Sequence, residues 1–182
     1  MYEQFKVRAE GVSAEVYRFE TTSLACDFIV GFLQREGISD EPHAHALWAD
    51  CPFLVGIDRQ PLEAVAGLKF VVTRDLAAKA RFGISQMEWA LADTGTLVQD
   101  STAAEQRLVS SLTEIHIALL PTGAILTDMP TLLAKMQPDS SSYIAMITGP
   151  SRTADIERVL TIGVHGPSRL VIVCVDDLGG NA

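Results

Sequence analysis

ITGPSRTADIERVLTIGVHGPSRLVIVCVDD, residues 147–177, is the stretch on which the fold turns. The run that leads into it, SYIAMI (142–147), is apolar and strand-like, and RLVIVCV (169–175) is apolar along most of its length. Strands without a polar face belong to a sheet covered on both sides. Between them TADIERVLTI (153–162) carries its apolar residues at helical spacing. Strand, helix and strand in this order predict a right-handed βαβ crossover with the two strands parallel. Two bends punctuate it. Gly149, Pro150, Ser151, Arg152 and Thr153 lead from the first strand into the helix, and Gly-Val-His-Gly-Pro (163–167) leads from the helix into the last strand.

The same alternation extends toward the N-terminus. AEVYRFE (14–20) predicts a strand, followed by a helix capped by Thr22 or Ser23 and running to Glu36, with Leu24, Phe28, Ile29, Phe32 and Leu33 on one stripe and Gly37 as its stop. After the polar stretch SDEPHAHALWADCP, the run FLVGI (53–57) is apolar, a helical piece is expected near Leu62–Leu68, and FVV (70–72) is a candidate strand. Thr73 can cap a helix to Arg81, and Ser85-Gln-Met-Glu88 fits a capping box opening a short helical turn. ALAD and TLVQ predict two short strands around Thr94-Gly95. Thr102-Ala-Ala-Glu105 opens a helix to Ser110, EIHIALL (114–120) is strand-like with His116 facing away from Ile115 and Ile117, and Thr127 starts a helix through Met136. The expectation is one α/β domain over residues 1–182 with a mostly parallel, doubly wound sheet.

Composition removes several function classes. With 14 basic against 23 acidic residues, the formal net charge is −9. Nucleic-acid and anionic-membrane binding rest on Lys and Arg, so neither is expected. No apolar run reaches the length of a membrane span, and MYEQFKVRAEG lacks the apolar core of a signal peptide. Cys26, Cys51 and Cys174 are scattered without Cys-x-x-Cys spacing, so no cluster ligands are expected in this chain, and free thiols fit the cytoplasm. His43-Ala-His45 with Cys51 matches no common zinc spacing, and no metal site is expected.

Three bends carry the candidate chemistry. In Gly149 to Thr153, Gly149 allows close backbone approach, Ser151 and Thr153 offer hydroxyls, and Arg152 could grip a carboxylate or phosphate through two parallel hydrogen bonds. The structural alternative is that Thr153 caps a helix while Arg152 pairs with Asp155 or Glu157. In the second bend His165 could bind an anion or act as acid or base, although a turn histidine satisfied by its surroundings is the commoner outcome. The third, Asp93-Thr94-Gly95-Thr96, is either a hairpin tip or an anion-cradling surface with Asp93 as acid or base. No nucleophile elbow, Walker loop or dinucleotide fingerprint is present.

Taken in order, ALADTGTLV (90–98), EIHIALL (114–120) and the pair GPSRTADIE and GVHGP within 147–167 resemble the lactate utilisation protein C family, carriers of the LUD domain, most strongly from Gly83 to Asp176. The resemblance implies a three-layer α/β/α fold similar to the superfamily of ribose-5-phosphate isomerase, glucosamine-6-phosphate deaminase and the CoA transferases. It also implies a part in oxidising L-lactate to pyruvate, alongside separate iron–sulfur proteins, with this chain as the cluster-free member. The family motif falls on Asp93, Thr94, Gly95 and Thr96, and on Gly149, Pro150, Ser151, Arg152, Thr153, Asp155, His165 and Gly166. A small carboxylate is then expected between the Thr-Gly-Thr and Ser-Arg-Thr stretches, with Asp93 and His165 as candidate catalytic groups. The alternatives are a stand-alone enzyme acting on a sugar phosphate, acyl-CoA or folate-like substrate, and a non-catalytic interaction module.

Overall fold

The computed structural model describes residues 1–136, 143–153 and 161–179. Its strands, in chain order, are β1 (Glu15–Phe19), β2 (Ala46–Trp48), β3 (Leu68–Lys69), β4 (Phe82–Gln86), β5 (Trp89–Leu91) and β6 (Thr96–Asp100). They continue with β7 (Ile115–Pro121), β8 (Ile125–Leu126), β9 (Ile144–Ile147), β10 (Arg152–Thr153), β11 (Thr161–Ile162) and β12 (Arg169–Val175). The helices are α1 (Tyr2–Gly11), α2 (Thr22–Arg35), α3 (Gln60–Glu63), α4 (Arg74–Ala77), α5 (Ala104–Ser111) and α6 (Met129–Lys135).

The main sheet has six parallel strands in the order β1-β12-β7-β4-β2-β3. Period-two alternation divides its side chains between two cores. Ile115, Ile117 and Leu119 of β7, with Val171, Val173 and Val175 of β12, meet Ala25, Ile29, Phe32 and Leu33 of α2. The intervening Ala118, Leu120, Leu170, Ile172 and Cys174 meet Phe5 and Ala9 of α1 and Ala90, Ala92 and Leu97 of a second sheet. Each large side chain so buried contributes about 1.5–3 kcal/mol, so the fully covered central pair β7 and β12 anchors the layers. The result is the expected three-layer α/β/α fold around a parallel sheet.

Three of the helices start on a side-chain cap. Thr21 Oγ1 accepts from the Leu24 amide at 3.3 Å, one residue before the expected cap of α2. Thr73 Oγ1 does the same for Leu76 at 3.3 Å, and Asp128 Oδ1 accepts from Thr131 at 2.9 Å to open α6. Capping oxygens of this kind satisfy amides that the helix leaves unpaired. The hydrogen bonds from Thr131 hold the Asp128 carboxyl below its usual range.

Several expectations are corrected. SYIAMI does not form a βαβ unit with RLVIVCV: β9 lies in a four-stranded second sheet, β8-β5-β6-β9, and runs antiparallel to β6 with Leu97 opposite Ile147. It is an edge strand whose Met146 is half exposed, so its apolar run does not mark a strand covered on both faces. The ends of the expected helix 153–162 are extended, β10 pairing antiparallel with β11, and Ala154–Leu160 lie outside the described residues. The β-branched Thr153 and Ile162 suit a pleated pair. The helix start expected after Thr153 lies outside the described residues.

Ser85-Gln-Met-Glu88 is no capping box, because Ser85 is fully buried inside β4. Residues 70–72 form no strand, pairing instead occurring at Leu68–Lys69. α5 begins after Ala103 without a side-chain cap.

Candidate functional site

Two of the motif bends are tied together at the amino edge of the main sheet, where β7 and β12 begin. The Ser151 amide donates to the Pro167 carbonyl at 2.8 Å, and the Gly163 amide donates to the Ser151 carbonyl at 3.0 Å. Next to them, the Ser168 amide donates to the Glu114 carbonyl at 2.8 Å, which pins the second bend to the start of β7. Beneath lies a cleft of about 280 Å³, lined among others by Ser110, His116, Thr148, Gly149, Ser151 and His165. Among the described residues its wall carries hydroxyls, backbone amides and two histidines, and no Lys, Arg, Asp or Glu. Neutral hydroxyls and amides in a sheltered hollow can orient a small polar ligand.

The third bend approaches the first through the second sheet. The hydroxyls of Thr96 and Thr148 lie 2.8 Å apart, and Thr96 also donates to Thr94 at 2.8 Å. Helix α1 lies across both glycines. A Cβ on Gly95 would stand 2.4 Å from the Ala9 nitrogen, and one on Gly149 would stand 2.4 Å from the Val12 carbonyl oxygen. Both glycines have φ of +71°, a backbone state that a side chain makes costly. These two residues therefore serve first as seats for α1 and the turn after it.

Behind the cleft runs a buried polar chain. His116 is 1% exposed, and its Nε2 lies 2.8 Å from Ser85 Oγ. Gln99 Nε2 donates to the same hydroxyl at 2.9 Å, while Ser101 Oγ donates to Gln99 Oε1 at 2.9 Å. Burial pushes the His116 imidazolium down to about 4, so the ring is neutral across the physiological range. Its Nδ1 has no partner among the described residues.

At the opposite, carboxyl edge of the main sheet, where open α/β sheets commonly bind ligands, a larger cavity of about 710 Å³ is lined by Thr21, Thr22, Ser23, Cys26, Asp27 and Asp177, among others. The Thr22 amide and hydroxyl already donate to Asp177 Oδ1 at 2.8 and 2.7 Å. The N-terminus of α2 thus holds a carboxylate of the chain itself, and Asp27 adds a like charge.

Of the residues singled out in the sequence, Gly149, Ser151 and His165 line the cleft, and Thr96 joins it through Thr148. Asp93 and Thr94 are exposed at the hairpin tip and do not line it. Arg152 turns away, its Nη2 donating to the Val12 carbonyl at 2.8 Å and to Ser13 Oγ at 3.0 Å. Thr153 sits in β10. The sequence does not mark His116, Ser85 and Gln99 as site residues, and a polar side chain inside each of three apolar strands is the signal they carry. The thiols of Cys51 and Cys174 are buried, and burial pushes Cys174 up to about 12. Among the described residues no three His, Cys, Asp or Glu side chains gather as metal ligands, and no helix is long and apolar enough to cross a membrane.

The chain belongs to the LUD domain family, whose model matches residues 2–175. It is similar to the Lactate utilization protein C of an Exiguobacterium species, 38% identical over 112 residues, covering 58% of this chain and 49% of that protein. The Lactate utilization protein C of Macrococcus caseolyticus is 36% identical over 108 residues, covering 56% of this chain and 47% of that one. The chain thus spans about half the length of the curated relatives it matches. A crystal structure of a DUF162 family protein from Deinococcus radiodurans shares the fold with a TM-score of 0.64, covering 96% of this chain and 95% of that one at 16% identity.

Proposed function

We propose that the protein serves lactate utilisation as the cluster-free, cytoplasmic component of an iron–sulfur system that oxidises L-lactate to pyruvate. In this reading the amino-edge cleft holds the small carboxylate. The Ser151 and Thr148 hydroxyls supply its polar contacts, and Leu170, Ile147 and Pro167 enclose its carbon skeleton. His165, exposed at the rim, is the acid–base candidate of the cleft. The electrons of the reaction belong to clusters on partner proteins; the residues here bind and orient the acid. The likeness to proteins named Lactate utilization protein C carries this reading. Neutral recognition groups at a sheltered hollow support its ligand class.

Deletion of the chain is expected to abolish growth on L-lactate as sole carbon source while leaving growth on pyruvate intact. The tagged protein is expected to co-elute with iron–sulfur proteins from lactate-grown cells. Undiminished growth on lactate after deletion would contradict the proposal.

A further inference from the structure

His116 is absorbed neither by the core nor by the motif bends, and its surroundings determine where its proton lies. The Asp50 carbonyl can only accept. Gln106 Nε2 donates to it at 2.9 Å, so Gln106 turns its Oε1 toward Gln99. That oxygen requires a donor, and Gln99 presents Nε2 at 3.2 Å. The same Nε2 donates to Ser85 Oγ at 2.9 Å and faces the Gln86 carbonyl at 3.4 Å.

Ser85 therefore accepts from Gln99. If it also accepted from His116 Nε2, its own proton and the Nδ1 lone pair would both lack partners among the described residues, in a fully buried place. If it donates to Nε2, only the Nδ1–H remains over. The arrangement that leaves fewer buried polar groups unpaired is favoured. The chain of hydrogen bonds thus protonates His116 on Nδ1. The two ring nitrogens point in nearly opposite directions, so Nδ1 faces away from Ser85. His116 itself lines the cleft beside Thr148, Ser151 and Leu170.

We infer that His116 is a ligand-binding and specificity residue of the cleft, whose Nδ1–H donates to the C2 oxygen of a bound 2-oxo or 2-hydroxy acid. The inference rests on the reading of the cleft given under the proposed function, and Ser85 and Gln99 act in it as positioning residues. A donor that carries no charge recognises the carbonyl or hydroxyl oxygen, while the Ser and Thr hydroxyls are left for the carboxylate. It also discriminates against acids that lack a C2 oxygen, because these would leave Nδ1–H unpaired.

The test uses the full chain with 15N-labelled histidine and long-range 1H–15N correlation spectra. His116 is expected to show the Nδ1–H tautomer, Ser85→Ala is expected to disturb that tautomer, and pyruvate or L-lactate is expected to shift the Nδ1 resonance where propionate does not. His116→Leu is expected to weaken pyruvate binding about tenfold, the equivalent of about 1.4 kcal/mol, and His116→Asn, which keeps an N–H near the same place, is expected to recover part of the loss. Saturation-transfer spectra report ligand binding independently. An Nε2–H tautomer, or binding of either acid without a response at His116, would overturn this inference and leave the ligand class standing. Absence of binding by both acids at millimolar concentration would overturn both.

Discussion

Gly95→Ala is expected to destabilise the protein by about 2–5 kcal/mol in urea unfolding and to release α1 from the sheet. Two costs combine. The left-handed backbone at φ +71° penalises a side chain by about 1–2 kcal/mol. The new methyl would also lie 2.4 Å from the Ala9 nitrogen and 2.7 Å from the Arg8 carbonyl carbon, backbone atoms that cannot swing aside, and overpacking of this kind costs about 1–3 kcal/mol. To make room, α1 must lift, which uncovers Phe5 and Ala9, both 0% exposed. A ten-residue helix does not persist alone in water. Amides of α1 should then exchange much faster than those of β7. Gly11→Ala is the control, since nothing lies within 4 Å of a Cβ there. A Gly95→Ala protein within 1 kcal/mol of the parent would show that α1 is not seated on this hairpin.

Glu88→Gln is expected to stabilise the protein at pH 8 by up to about 3 kcal/mol and to have little effect below pH 4. Glu88 lies between β4 and β5, where its Oε2 accepts from the Asp100 amide. Burial, with a smaller push from Asp100, raises its carboxyl to about 7. The folded chain therefore binds more protons than the unfolded one between about pH 4.5 and 7. Stability from this group is complete at low pH and falls as pH rises through that window. His116 has the opposite sign. Its imidazole is pushed down to about 4, so the unfolded chain binds more protons between about pH 4 and 6.5, and stability falls as pH drops through that window. The two slopes oppose one another from about pH 4.5 to 6.5. Wild-type stability should be nearly flat there, and Glu88→Gln should convert the flat region into a rise with pH. Urea midpoints at pH 4.5, 6.5 and 8 read this directly, and parallel profiles for the two proteins would contradict it.

The sequence displayed the parallel layers well, and for a physical reason. Continuous apolar runs such as RLVIVCV and the striped helix 22–35 are local consequences of where those segments sit. It displayed poorly which sheet a short apolar strand joins. SYIAMI and RLVIVCV look alike in composition, yet one is a half-covered edge and the other a central strand, because pairing partners are chosen by distant residues. The capping-box reading of Ser85 failed for the same reason: a pattern of four residues cannot report that His116, on a strand 31 positions away, takes the hydroxyl. At the site, the glycine bends were legible because positive φ requires glycine. Arg152, an obvious anion ligand by residue type, is held by Val12 and Ser13, contacts 140 and 139 positions away.

What remains most exposed to test is the placement of the ligand at the amino edge of the sheet. Backbone amide shifts recorded while the protein is titrated with pyruvate decide it. Shifts are expected to concentrate at Thr148, Gly149, Ser151, His165 and Gly166, with His116 among them. Shifts confined to Thr21, Thr22, Ser23 and Asp177 would place the acid at the carboxyl edge and contradict the assignment of the cleft.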